Sequence, residues 1–83
     1  MYWYVKKNRE EGDLVYVGWS ELTESREALC DGEIIYNKKD CTFVVSKVSI
    51  TSKEYMGRWC GGHLHSLIRN NELTEKVRAI IIG

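Results

Sequence analysis

Several features that would assign a function directly are missing from this chain of 83 residues. Its longest apolar runs, such as Ala79–Ile82, fall far short of the roughly 20 residues that a membrane helix needs. The N-terminal segment Met1–Val5 meets Lys6 and Lys7 at once, so it lacks the apolar stretch and cleavage site of a signal peptide. We therefore expect a cytoplasmic protein without a membrane partner.

Cysteine is too scarce and too scattered to indicate a disulfide framework. Cys30, Cys41 and Cys60 form an odd set without the paired spacing of zinc modules. We interpret them as reduced thiols, which usually behave as small buried hydrophobic residues.

A net charge is also lacking, since twelve acidic and twelve basic residues cancel. The overall field therefore indicates neither a general nucleic-acid binder nor an acidic mimic. No catalytic, cofactor or nucleic-acid motif is present, so no cofactor is predicted.

Composition and length predict a single domain covering residues 1–83. Hydrophobic residues make up 43% of the chain and charged residues 29%, which is ordinary for a folded protein. The residue pattern predicts an α+β fold in the order β-β-α-β-β-α-β, with two helices packed on a mainly antiparallel sheet of about five strands. The predicted strands are Tyr2–Lys6, Leu14–Trp19, Glu33–Asn37, Cys41–Ile50 and Val77–Ile82.

Strand details follow from the same patterns. Residues 8–13 are polar and include a Gly-Asp turn signal, which predicts a hairpin between the first two strands. Trp3 and Val5 should share one face of that hairpin, with Tyr2 and Tyr4 on the other. The length of the fourth strand suggests a central position, and the continuous apolarity of the fifth predicts burial on both faces.

The first predicted helix is short, covering Glu24–Cys30 and ending at Asp31-Gly32. The second begins at a capping box formed by Thr51 and Glu54 and ends near Asn70-Asn71. We expect it to continue through the glycine pair 61–62. Its predicted inward stripe comprises Met56, Trp59, Cys60, His63, Leu64, Leu67 and Ile68, with Arg58, His65 and Arg69 opposite.

A partner surface is the leading functional hypothesis. Between residues 10 and 33 the chain carries eight acidic residues and only one basic residue. Glu24, Glu27 and Asp31 would form an acidic ridge suited to docking on a protein with a basic surface, such as a nucleic-acid-processing enzyme. Exposed aromatic residues are enriched at interfaces, so the hairpin residues Trp3, Tyr4, Tyr16 and Trp19 are added to the candidate partner-binding set.

The sequence thus predicts a non-enzymatic binding module that modulates or inhibits nucleic-acid-processing machinery. Such a small free-standing chain fits accessory proteins, including those encoded by viruses and mobile elements. The acidic residues also have a simpler interpretation as a solvated helix face. Unpaired strand edges would permit a homodimer.

Two alternatives remain open. Arg58, His65 and Arg69 on the outward helix face could bind an anion, which includes nucleotides and nucleic acid. Cys60 and His63, three residues apart on a helix, could ligate zinc or act as a thiolate nucleophile and its base, although both lie on the apolar stripe and core packing is the favoured interpretation.

Overall fold

The computed structural model describes residues 2–21, 29–50 and 54–81. Five strands in these ranges form one antiparallel sheet, and one helix packs on it. The elements are β1 (Tyr2–Glu11), β2 (Leu14–Glu21), β3 (Gly32–Asn37), β4 (Thr42–Lys47), α1 (Glu54–Arg69) and β5 (Arg78–Ile81). The spatial order is β4-β3-β2-β1-β5, so β4 and β5 lie at the edges.

The predicted hairpin between β1 and β2 is confirmed, but its strands are longer than expected. Glu11 pairs with Leu14, which leaves Gly12 and Asp13 as a two-residue turn. Gly12 has a φ of 58°, and a positive φ at the first turn residue alone fits a type II′ turn. The polar segment 8–11 belongs to the strand and accommodates a bulge after Lys7.

Helix α1 covers one face of the sheet, and the hydrophobic core lies between them. The expected alternation along β1 is present, because Trp3 and Val5 have no exposed surface while Tyr4 is half-buried on the opposite face. The core cluster comprises Trp3, Val5, Val15, Val17, Trp19, Ile34, Tyr36, Cys60, Leu64, Leu67 and Leu73. We call the other face, which carries Tyr4, the helix-free face.

The helix continues through its glycine pair, as predicted. Gly61 faces β4, where a Cβ atom would overlap the ring of Phe43, whereas a Cβ at Gly62 would meet nothing within 4 Å. Close packing at Gly61 therefore offsets the helix propensity that glycine loses there, about 1 kcal/mol relative to alanine.

The predicted end of the helix near Asn70-Asn71 is confirmed. Asn71 adopts a left-handed φ of 57°. The amide of Glu72 donates to the carbonyl of Leu67 at 2.8 Å, and the amide of Asn71 donates to the carbonyl of Ile68 at 3.2 Å. These two bonds form a Schellman motif.

Two strand predictions were wrong. β4 is short and lies at an edge, because the segment after Lys47 leaves the sheet to reach the helix. β5 is the opposite edge, where Arg78 and Ala79 are exposed and Ile80 is half-buried. The apolar residues of β5 therefore reflect packing of one face of the strand and not burial of both faces.

The described residues contain one helix, not the two predicted. Residues 24–28 of the predicted first helix lie outside the described ranges, as does Thr51 of the predicted capping box. Leu29 and Cys30 are irregular, and Cys30 has a φ of 48°, so the left-handed residue lies before the predicted stop at Asp31-Gly32.

The fold is small and compact. The Cα radius of gyration is 11.5 Å, close to the value of about 12 Å expected for a globular chain of this length. Helix α1, the one helix of the described residues, is not long and apolar enough to cross a membrane.

Candidate functional site

The four predicted hairpin aromatics separate into two groups. Trp3 and Trp19 are 0% exposed in the core. A side chain without exposed surface cannot contact a partner, so these two tryptophans stabilise the fold. Tyr4 and Tyr16 are half-buried on the helix-free face and keep part of their rings accessible.

Tyr16 belongs to a continuous row across the helix-free face. Arg9 pairs with Tyr16, Tyr16 pairs with Ile35, and Ile35 pairs with Val44. Directly opposite residues in antiparallel strands project from the same face. The Arg9 guanidinium lies 4.0 Å from the centroid of the Tyr16 ring in a cation–π contact. Val44 ends the row at the sheet edge and is 60% exposed.

Tyr4 lies apart from this row. It pairs with Ser20, which is four residues beyond Tyr16 on β2. Gly18 lies between them, and a Cβ atom there would come within 2.9 Å of the Cys30 carbonyl oxygen. The segment at Cys30 thus crosses the helix-free face and separates the two tyrosines.

The β4 edge adds a second feature beside the row. Within the described residues β4 pairs only with β3, so one side of its backbone is unpaired. A hollow of about 460 Å³ adjoins this edge and is lined by Phe43, Val44, Val45, Val48 and Arg58. An unpaired strand next to a hollow with apolar side chains in its lining can accept an extended segment of another chain.

The acidic residues are partly neutralised within the chain. Glu10 pairs with Lys38 at 3.3 Å, and Glu11 pairs with Arg9 at 3.6 Å. Glu24 and Glu27 lie outside the described residues, so the predicted acidic ridge stays a prediction.

Asp31, the third member of that ridge, has a role inside the fold. It accepts hydrogen bonds from the Ser49 hydroxyl at 2.6 Å and the Ile50 amide at 3.0 Å. Desolvation opposes ionisation, but these hydrogen bonds outweigh it and lower the pKa of Asp31. Asp31 thus anchors the segment that follows β4.

The predicted anion-binding residues are only partly brought together. Arg58 lines the hollow beside β4, whereas His65 and Arg69 line a second cleft at the other end of the helix. This cleft has a volume of about 610 Å³, and its lining also includes Tyr36, Lys38, Cys41 and Ile68. We call it the helix-end cleft.

His65 is not directed away from the sheet as predicted. Its Nδ1 lies 2.5 Å from the hydroxyl of Tyr36, and the ring is half-buried. Burial raises the pKa of Tyr36, with a further contribution from its hydrogen bond with Cys41, while the positive charge of Arg69 acts in the opposite direction. The hydroxyl therefore stays protonated near neutral pH and can donate a hydrogen bond.

Cys60 and His63 do not form a metal site with other described residues. Cys60 is 0% exposed, and burial raises the pKa of its thiol to about 12. Metal binding and nucleophilic attack both require a thiolate. His63 is exposed and stacks on Trp3 with ring centroids 6.3 Å apart. In the described ranges, no three His, Cys, Asp or Glu side chains lie close enough together to hold a metal ion.

Sequence reasoning missed Tyr36, Lys38 and Val44. Lys38 and Lys39 lie in the turn between β3 and β4, and that pair of lysines was the available signal. Nothing local in the sequence indicates that this turn faces the end of the helix, because only the tertiary fold brings them together.

Comparison of the chain with protein families, with curated proteins and with solved structures finds no match.

Proposed function

We propose that the protein is a non-enzymatic binding module that modulates a protein partner. The supporting observation is Val44, which is 60% exposed where the row on the helix-free face reaches the β4 edge, and no other described strand pairs with that edge. Exposed aliphatic side chains on an unprotected edge are a known site for strand addition.

The proposed docking surface combines two kinds of contact. The β4 backbone offers hydrogen bonds to an added strand, while the hollow beside it accepts alternate side chains of that strand. Tyr16 and Ile35 extend the apolar surface beyond the edge, and Arg9 holds the Tyr16 ring in place. Tyrosine contributes large contact area at small entropic cost, which suits it to this position.

The expected class of partner follows from the acidic residues of the first half of the chain. We propose a target with a basic surface, such as a nucleic-acid-processing enzyme, whose basic groups would meet Glu24 and Glu27. Catalysis by the chain itself is not part of the proposal, since the Cys60 thiol is buried and protonated.

A pair of charge-matched variants tests the docking surface. Val44→Lys places a charge in the exposed edge, while Ser66→Lys adds the same charge on the exposed side of the helix. We expect recovery of a specific partner from the source cells to fall about tenfold or more with Val44→Lys, because burying a lysine in an apolar contact costs at least about 1.4 kcal/mol. Recovery with Ser66→Lys should match the original chain.

Two results would contradict the proposal. One is equal recovery of every partner with both variants. The other is a chain that only associates with itself, measured by light scattering after gel filtration, and becomes monomeric with Val44→Lys.

A further inference from the structure

The helix-end cleft is separate from the proposed docking surface and has its own chemistry. It lies between the C-terminal part of α1, which supplies His65, Ile68 and Arg69, and the β3–β4 hairpin, which supplies Tyr36, Lys38 and Cys41. Its volume of about 610 Å³ is within the range of small-molecule sites, roughly 300–1,000 Å³.

Two cations reach the cleft from different elements. Arg69 makes no ion pair with any residue in the described ranges. Lys38 lies 3.3 Å from Glu10, but both side chains are more than a third exposed. A surface pair of this kind contributes at most about 1 kcal/mol, so Lys38 can turn towards a stronger anion. The lining itself contains no carboxylate among the described residues.

Neutral polar groups add directional hydrogen bonding. Tyr36 is buried in the core, so its hydroxyl is held at a fixed place in the cleft beside His65. The hydroxyl donates to Nδ1, so the ring presents its Nε2–H group as a donor. The cleft thus combines two cations, a fixed hydroxyl and an imidazole.

These groups favour a phosphate over a carboxylate. A phosphomonoester carries close to two negative charges near neutral pH and three acceptor oxygens, which match two cations and the imidazole N–H donor. The half-buried Ile68 side chain provides an apolar wall for the rest of the ligand. We propose that the helix-end cleft binds a small phosphomonoester with an apolar or aromatic body, of the size of a nucleoside monophosphate.

Calorimetric titration of the full chain with 5′-AMP, adenosine and inorganic phosphate tests this site. We expect saturable binding of 5′-AMP at least tenfold tighter than that of adenosine, because the phosphate carries the charge recognition. Inorganic phosphate should compete with 5′-AMP but bind less tightly, since it leaves the apolar wall unused.

The chain offers a matched control on the same helix. Arg69→Gln and Lys38→Gln should each weaken 5′-AMP binding about tenfold, whereas Arg58→Gln removes the same charge outside the cleft and should change it less than twofold. Circular dichroism of each variant verifies that the fold is intact. All three replaced side chains are exposed, so we expect the variants to fold.

Three results would overturn the proposal. The first is the absence of saturable 5′-AMP binding to the folded chain. The second is an equal loss with Arg58→Gln and Arg69→Gln, which would indicate general charge attraction. The third is tighter binding of a 5′-phosphorylated oligonucleotide than of 5′-AMP with a steep salt dependence, which would indicate a nucleic-acid surface.

Discussion

The Tyr36 hydroxyl and the Nδ1 atom of His65 lie 2.5 Å apart and join strand β3 to helix α1. The two rings are tilted by 51° with centroids 6.1 Å apart. Tyr36 belongs to the buried core, so this bond fixes the C-terminal part of the helix relative to the β3–β4 turn. It thereby positions one wall of the helix-end cleft.

Tyr36→Phe removes this bond and leaves the ring in place. We expect the free energy of unfolding in urea to fall by about 1 kcal/mol, the usual net value of such a bond. A double-mutant cycle with His65→Ala separates the bond from packing and should give a coupling energy of roughly 0.5–1.5 kcal/mol. A coupling energy near zero would show that the two groups do not interact in solution.

The glycine pair in α1 gives a second test of packing. Gly62→Ala should stabilise the protein by up to about 1 kcal/mol, because the site is exposed and alanine favours helix. Gly61→Ala should destabilise it, because the new methyl group overlaps the Phe43 ring and overpacking costs about 1–3 kcal/mol. Thermal unfolding of both variants measures the difference. Equal stabilisation by the two would mean that the helix does not lie against Phe43.

Some of this arrangement could be predicted from the sequence and some could not. Local patterns identified all five strands, and the stripe containing Cys60, Leu64 and Leu67 identified the helix and its buried side. Edge positions depend on which strands pair, and a single strand's composition does not encode that. The apolar strand β5 and the long apolar run around β4 were therefore placed too deep in the sheet.

The prediction of site residues was limited in the same way, because the sequence alone does not show which side chains the fold buries. Tyr16 and Arg69, which were selected by residue type, keep accessible surface, yet Trp3 and Trp19, selected on the same basis, are core residues. His65 lies close to the boundary of the buried stripe of the helix. A rotation of the helix about its axis by a few tens of degrees decides whether the His65 side chain points to solvent or to the sheet. Its contact with Tyr36 required the tertiary fold.

The Cys60 thiol gives a pH prediction. Its pKa rises from an ordinary value of 9.0 to about 12 in the folded chain. Between these values the folded chain binds more protons than the unfolded chain, so the free energy of unfolding should fall as the pH rises through this window. In urea titrations, the Cys60→Ala variant should not show this fall in the free energy of unfolding. An identical pH profile for both proteins would contradict the assignment.

The same burial predicts selective labelling of the cysteines. Cys41 is exposed and Cys60 is 0% exposed. A short pulse of iodoacetamide at pH 8 should therefore modify Cys41 first, since alkylation requires an accessible thiolate. Peptide mass spectrometry measures the order. Faster modification of Cys60 would show that the helix opens readily from the sheet.

Asp31 distinguishes a structural from a partner-binding role in the acidic segment. Asp31→Asn should lower the free energy of unfolding by about 1 kcal/mol through weaker bonds to Ser49 and Ile50. Since the folded pKa of Asp31 is lowered, its contribution is present above the unfolded value near 3.8 and is lost as the pH falls through the folded value. Unfolding measured at pH 7 and at low pH tests this. An unchanged stability at pH 7 would contradict it.

Glu24 and Glu27 should behave differently from Asp31. Their replacement by lysine should reduce recovery of a basic partner, mainly through slower association that depends on salt. Surface plasmon resonance at two salt concentrations measures this effect. Unchanged association rates would show that the acidic ridge does not contribute to partner binding.

Amide hydrogen exchange of the chain with and without its purified partner tests the docking surface most directly. We predict new protection of the β4 amides in Thr42–Lys47, with little change on the exposed side of α1 around Ser66. Protection confined to the helix, with β4 exchanging at the same rate in the free and bound chain, would contradict the proposed mode of binding.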